Sequence, residues 1–362
     1  MLHAASATLN RQPLLKVSGE EFADILVPYS LDNQLLSIER LPEHNNTEFN
    51  ELKDPSIVQL TDGSFLMYAS VGSSVTQKWI VGRFAAAQSN GHWKELPPVE
   101  FKNLSGAELC APAVSIENIN GKDVFTMYIQ TTCFSENGII AFATSEDGHI
   151  FRGHDEAIAS KDTIIKGKHP IIGVYDAGIS EVTIDDTELL CMVFSAYRRV
   201  GCGDIYMTTR PKYDQSASWS SPTLILAQED VPFHNDPSNE NFEWGLEGGK
   251  IIQIFDGIFL LIGVCFLPKP NALGTRQRVF FAASYELNGK YIPLGTPFHP
   301  TQNDYGFGEH GHPDTIVNDK NLEIVYQERF GDGHPWHLRF IRYDLEQLST
   351  MLKERLIVYS IH

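Results

Sequence analysis

The sequence predicts an all-β chain folded as a five-bladed β-propeller with four-stranded antiparallel blades. Three observations carry that expectation. A unit recurs about five times: a polar or acidic entry, a β-rich run, a turn residue and a second β-rich run. Its period is roughly 55 to 70 residues, the length of one such blade. Helical periodicity is missing from nearly the whole chain. Copies at this spacing leave no room in 362 residues for a second sizeable domain, so 1–362 reads as a single propeller.

The copies run in order. The first is Asp54-Pro55-Ser56-Ile57-Val58-Gln59-Leu60, a turn at Asp62-Gly63, and Phe65 to Ser70. The second is Ala111 to Ile116, Asn120-Gly121, and Val124 to Ile129. The third is Ser180 to Ile184, Asp185-Asp186, and Leu189 to Ala196, with an entry near Asp176. The fourth is Glu247 to Ile252, Asp256-Gly257, and Ile258 to Val264. The fifth is His312 to Val317, Asn318-Asp319, and Leu322 to Tyr326. Further runs rich in β-branched and aromatic residues complete the blades, such as Trp79 to Phe84, Gly138 to Ser145 and Asp204 to Arg210. Ser145-Glu146-Asp147-Gly148 reads as a hairpin turn. Leu345, Leu348, Leu352 and Leu356 recur at helical spacing, giving either a short C-terminal helix capped by Asp344 or Ser349, or a fraying tail. The blade entries near 54, 111, 176, 247 and 312 are where a propeller turns toward its axis, so three acids and a histidine converge there.

A formal charge of −18 argues against nucleic acid, which needs clustered Lys and Arg, and against an anionic membrane surface. No apolar stretch reaches bilayer length. The partner this leaves is a small-molecule or oligosaccharide substrate carrying few charges. The N-terminal residues show no basic region followed by an apolar core. The five cysteines are odd in number and follow no metal spacing. Cys191 and Cys265 lie in apolar runs, as small hydrophobes do. The expectation is a cytoplasmic protein with reduced thiols.

Taken together, the entry motifs resemble those of the five-bladed glycoside hydrolases of family 43, relatives of the invertases and levansucrases. The matching residues are Lys53-Asp54-Pro55-Ser56, Cys110-Ala111-Pro112, Tyr175-Asp176-Ala177-Gly178, Glu247-Gly248-Gly249 and Gly311-His312-Pro313. The resemblance implies a general base at Asp54, a general acid at Glu247, and an acid at Asp176 that orients Glu247 and keeps it protonated. It implies inversion, with a wide carboxyl separation of roughly 6.5–9.5 Å. It implies no cofactor, with calcium bound through waters near His312 as a lesser option. Alignment on Val182-Thr183-Ile184 puts Ile179 at the place of Asp176, which then reaches the axis only behind a bulge or insertion. Glu181 is the second candidate for that role.

Glycoside hydrolysis needs two carboxyl groups, one protonated for the leaving group and one ionised to activate water. The alternative for Asp54 is an Asx residue bonding its own turn, and for His312 a hydrogen-bonded core histidine or a ligand to a central water. Trp244, Trp336, Phe134, Tyr197 and Phe233 are candidates for stacking on a sugar, or else pack between blades. Arg198 is a candidate to bond a substrate hydroxyl or carboxylate, or else a solvated cation. The leading expectation is a glycosidase of arabinofuranosyl, xylosyl or related linkages. The alternatives are a non-hydrolytic carbohydrate-binding propeller and an axial pocket used for another acid–base reaction in small-molecule biosynthesis.

Overall fold

A computed structural model of the chain describes residues 30–36 and 51–361, apart from 74–77, 105–107, 133–136, 155–157, 164–169, 200–201, 215–216, 232–244, 255–256, 269–274, 298–307, 319 and 331–333. Strand β1 (Ser30–Leu36) comes first. Blade one follows as β2 (Glu51–Gln59), β3 (Phe65–Ser73), β4 (Lys78–Ala86) and β5 (Lys94–Leu96). Next come β6 (Glu100–Lys102) and then β7 (Cys110–Ile119), β8 (Lys122–Gln130), β9 (Ile140–Ser145) and β10 (Ile150–Gly153), which build blade two. Blade three is β11 (Gly173–Ile184), β12 (Thr187–Arg199), β13 (Cys202–Pro211) and β14 (Thr223–Leu226). Blade four is β15 (Leu246–Ile254), β16 (Ile258–Pro268), β17 (Thr275–Ser284) and β18 (Ile292–Gly295). The last strands are β19 (Glu309–Val317), β20 (Asn321–Arg329) and β21 (His337–Asp344), followed by helix α1 (Leu345–Ile361).

The expected five-bladed propeller is what forms. Two details go beyond the expectation. Blade two has a fifth strand, because β6 lies parallel along the outer edge of β10. Blade five takes its outermost strand from the other end of the chain: β1 pairs antiparallel with β21, Ser30 opposite Arg342. The hairpins between first and second strands turn as their sequences require. Asn120 and Gly121 have φ of 54° and 80°, and Asp185 and Asp186 have 46° and 62°, the left-handed pair that suits the twist of two strands.

The core lies between blades. The described apolar residues form a cluster at each blade-to-blade interface, for example Tyr68, Val81, Met127 and Phe151 between blades one and two. Helix α1 covers the interface of blades four and five with Leu345, Leu348, Leu352 and Leu356, all buried. Its first turn is capped by Asp344, whose Oδ1 accepts the Gln347 N–H at 2.9 Å. Cys191 and Cys265 are free and buried in the strands, as their apolar surroundings imply. Cys110 corrects the expectation of reduced thiols throughout, because it is disulfide-bonded. It opens β7 rather than sitting within an apolar run, and the cysteine argument for a reducing compartment loses its support there.

Candidate active site

The first strand of every blade carries the same irregularity. On β2, Lys53 faces Ser70 and Ser56 faces Tyr68, so β2 advances three residues while β3 advances two. The same step separates Cys110 from Ala113, Tyr175 from Gly178, Glu247 from Lys250, and Gly311 from Asp314. Each is a bulge, with one unpaired residue that bends the strand and re-aims a side chain. The first bulged residue has a left-handed backbone in four blades: Asp54 (φ 50°), Ala111 (49°), Asp176 (54°) and His312 (41°). In three of these blades its N–H is taken by a polar side chain of the preceding blade. Asp54 donates to Gln327 Oε1 at 2.9 Å, Ala111 to Ser70 Oγ at 2.9 Å, and Asp176 to Gln130 Oε1 at 3.0 Å.

This register decides one alternative, in favour of the bulge, and corrects one expectation. Asp176, not Ile179, is the counterpart of Asp54. Glu247 is not equivalent to the other axial residues: Gly248 holds the bulge position, and Glu247 reaches in from one residue earlier, where the other blades have Lys53, Cys110, Tyr175 and Gly311. Glycine is required there. A Cβ on Gly248 would overlap the Asp176 carbonyl oxygen, and one on Gly178 the Gly249 carbonyl oxygen, so blades three and four touch backbone to backbone.

Asp54, Asp176 and Glu247 meet around His312. Its Nε2 lies 2.7 Å from Glu247 Oε2, and its Nδ1 lies 3.4 Å from Asp54 Oδ1 and 3.8 Å from Asp176 Oδ1. The imidazole ring therefore stands between Asp54 and Glu247. Three polar side chains complete the cluster, and the sequence reading missed their part in it. The Tyr197 hydroxyl, on β12, lies 2.9 Å from Glu247 Oε1 and 3.4 Å from Asp176 Oδ2. Gln277 Nε2 donates to Glu247 Oε2 at 3.4 Å, and Gln327 Nε2 donates to Gln277 Oε1 at 3.1 Å. Gly311 leaves the space that the Gln277 amide fills.

Burial and neighbouring charge set the protonation states. Burial, then the Glu247 carboxylate, pushes Asp176 from 3.8 up to about 7. For His312, burial works against the charged ring, but Glu247, Asp54 and Asp176 together raise it from 6.5 to about 10. An imidazolium thus sits at the centre of the carboxyl cluster. Calcium takes several oxygen ligands, and both ring nitrogens of His312 already face carboxylates. Among the described residues no group of three or more His, Cys, Asp or Glu side chains is arranged for a metal ion.

The axial cavity is narrow beneath the cluster, about 40 Å³ among Asp54, Ala111, Asp176, Gly248 and His312. Beyond it the inner strands open into about 870 Å³ lined by Gln59, Glu181, Lys250 and Gln253 at the opposite end. Asp54, Asp176 and His312 line the smaller space, and Glu247 adjoins it through Gly248.

The other candidates fall elsewhere. Glu181 lies at the far end, its carboxylate 2.5 Å from Lys212 Nζ. Arg198 is a correction. Its guanidinium is clamped by Asp204, at 2.7 Å, and by Glu229, so its fork is used within blade three. Trp336 is also a correction: it is 5% exposed and lies under the Arg329 guanidinium, 4.7 Å from the ring centre, which leaves no open face for a sugar. Tyr197 is not a stacking platform but a buried hydroxyl donor. Trp244, Phe134 and Phe233 lie outside the described residues.

No protein-family model matches the sequence, and no curated protein matches it. Solved structures do. An endo-arabinase from Bacteroides thetaiotaomicron superposes with a TM-score of 0.58 at 13% identity, over 80% of this chain and 93% of that one. A GH62 hydrolase in complex with xylotriose gives 0.55 at 16% identity, over 88% and 94%. An alpha-L-arabinofuranosidase from Lactobacillus brevis gives 0.53 at 15% identity, over 82% and 92%. The chain shares their fold. A shared five-bladed architecture does not fix an activity, which resides in the site it carries.

Proposed function

We propose that the chain is a glycoside hydrolase that cleaves arabinofuranosyl, xylosyl or related linkages with inversion. The observation that carries the reading is the convergence of Asp54, Asp176 and Glu247, from three different blades, on one end of the propeller axis. Asp54, as base, takes a proton from the water that attacks the anomeric carbon. Glu247, as acid, gives a proton to the departing oxygen as the glycosidic bond breaks. Asp176 is the neighbouring carboxyl that sets the proton occupancy and orientation of Glu247. The imidazolium of His312 holds the three acids at one point until a sugar enters.

The test is a panel of nitrophenyl arabinofuranosides and xylosides and the matching oligosaccharides, with Asp54→Asn as control. Asparagine tolerates the left-handed backbone at position 54, so the variant keeps the bulge. At least one substrate should turn over, and Asp54→Asn should lose about 10²- to 10⁴-fold of that rate. Binding of an oligosaccharide without turnover by the wild type, measured by calorimetry, would favour a carbohydrate-binding propeller instead.

A further inference from the structure

Asp176 and Glu247 are joined twice, through different oxygens. On one side His312 faces Glu247 Oε2 and Asp176 Oδ1. On the other side the Tyr197 hydroxyl faces Glu247 Oε1 at 2.9 Å and Asp176 Oδ2 at 3.4 Å. A phenol has one hydrogen and two neighbours here, both acceptors when ionised. It serves one carboxylate only, and the other carboxyl makes a good contact only by bringing its own proton and donating to the phenol oxygen. We propose that Tyr197 is the positioning residue through which Asp176 and Glu247 hold one proton between them, its hydroxyl hydrogen turned toward whichever carboxyl is ionised.

The surroundings of the ring support a built position. Tyr197 is 7% exposed, and the Tyr175 ring lies 4.5 Å from it. Gly203 makes room for the ring, since a Cβ there would lie 2.7 Å from Tyr197 Cδ1. Burial, and then the two carboxylates, keep the phenol protonated well above its ordinary range. The other charged groups acting on Asp176 are His312 on β19 and Asp54 and Lys53 on β2. The exchange balances. Asp176 gives its proton to the phenol oxygen as the phenol gives its own to Glu247 Oε1. After Glu247 has protonated a leaving group, the hydroxyl turns back and Asp176 reloads from water. Asp176 thereby becomes the entry point for the proton that the acid spends.

The proposal rests on reading Glu247 and Asp176 as the acid and its modulator, yet its test needs no substrate. The carboxyl carbons of Asp176 and Glu247 are titrated by NMR in the wild type, Asp176→Asn, Tyr197→Phe and the double variant. In the wild type, Asp176→Asn should move the Glu247 midpoint. In the Tyr197→Phe background the same substitution should move it by half as much or less. An equal displacement in both backgrounds, meaning coupling by charge alone, overturns the proposal. A second measurement covers the case in which Tyr197→Phe folds poorly. The buried Tyr197 hydroxyl proton of the wild type should change its chemical shift across the pH interval in which Asp176 titrates, and a flat trace there overturns the proposal equally. A wild-type protein inactive on every glycoside would remove the proposed function while leaving these titrations to decide on Tyr197.

Discussion

His312 concentrates the pH dependence of the molecule in one ring. Its pKa is raised from 6.5 to about 10, so the folded state holds a proton that the unfolded chain loses first. The stabilisation this gives is fully present below 6.5 and is lost as pH rises through about 10. His312→Gln should therefore lower the melting temperature most at pH 6, and the gap to the wild type should narrow toward pH 10. Removing one partner of a buried charge cluster costs about 3–5 kcal/mol, which sets the scale at the acid end. Asp176 has a slope of the same sign for a different reason. Its carboxyl is raised from 3.8 to about 7, so across that interval the folded protein retains a proton at a buried site and loses stability with rising pH. Asp176→Asn should flatten the stability profile between those values and leave it unchanged below them. A parallel offset at all pH values would mean that another group carries the slope. Asp54, Asp176, Glu247 and His312 were legible in the sequence because each stands in an entry motif. Tyr197, Gln277 and Gln327 were not, because they lie on second and third strands, where reach toward the axis depends on how blades pack. Arg198 was misread for a related reason: the carboxylates that occupy it, Asp204 and Glu229, have no fixed spacing from it.

At the scale of the strand, the bulge decides which side chains meet. Aligning the third copy on its strand body suggested Ile179, and the error has a plain origin. β11 continues six residues past its bulge, to Ile184, whereas β2 continues only three, to Gln59. Hairpin position is thus a poor ruler for axial position, while the bulge register is a good one. The close approach of blades three and four makes a second expectation specific. Gly178→Ala would push a methyl group into the Gly249 carbonyl. The midpoint of urea unfolding should fall by the equivalent of about 1–3 kcal/mol. Gly63→Ala is the comparison: a Cβ there meets nothing, so its cost comes from its left-handed φ of 85° alone. Equal losses in the two variants would mean that the backbone contact carries no weight. The Ser145 to Ile150 turn is fixed from the other direction. Asp147 Oδ1 accepts the N–H groups of His149 and Ile150 at 2.8 and 2.9 Å, which draw its carboxyl down to about 2. Asp147→Ala should cost about 1 kcal/mol at neutral pH. That penalty should fade as the wild type is acidified through pH 2.

Apolar clusters between neighbouring blades hold the whole ring, and its fifth blade is completed by one short strand from the other end of the chain. The repeat made five blades legible, but nothing in Ser30-Leu31-Asp32-Asn33-Gln34-Leu35-Leu36 marks it as the edge of the fifth, since it is neither β-branched nor alternating. Its place is set by the open edge of β21, a row of unpaired backbone groups that some strand has to cover. Blade five also carries His312, so closure and the carboxyl cluster share a sheet. Removing residues 30–36 should lower thermal stability and, with it, the fraction of His312 protonated at pH 8, which the imidazole carbon-bound protons report in NMR. The same arrangement dictates timing. A ribosome delivers β1 before β21, so β1 must wait through about 300 residues of synthesis for its partner. Pairing across such a span is slow to form. Until it does, the outer edge of β21 stays uncovered, and the nascent protein with that open edge is the species most in need of a chaperone.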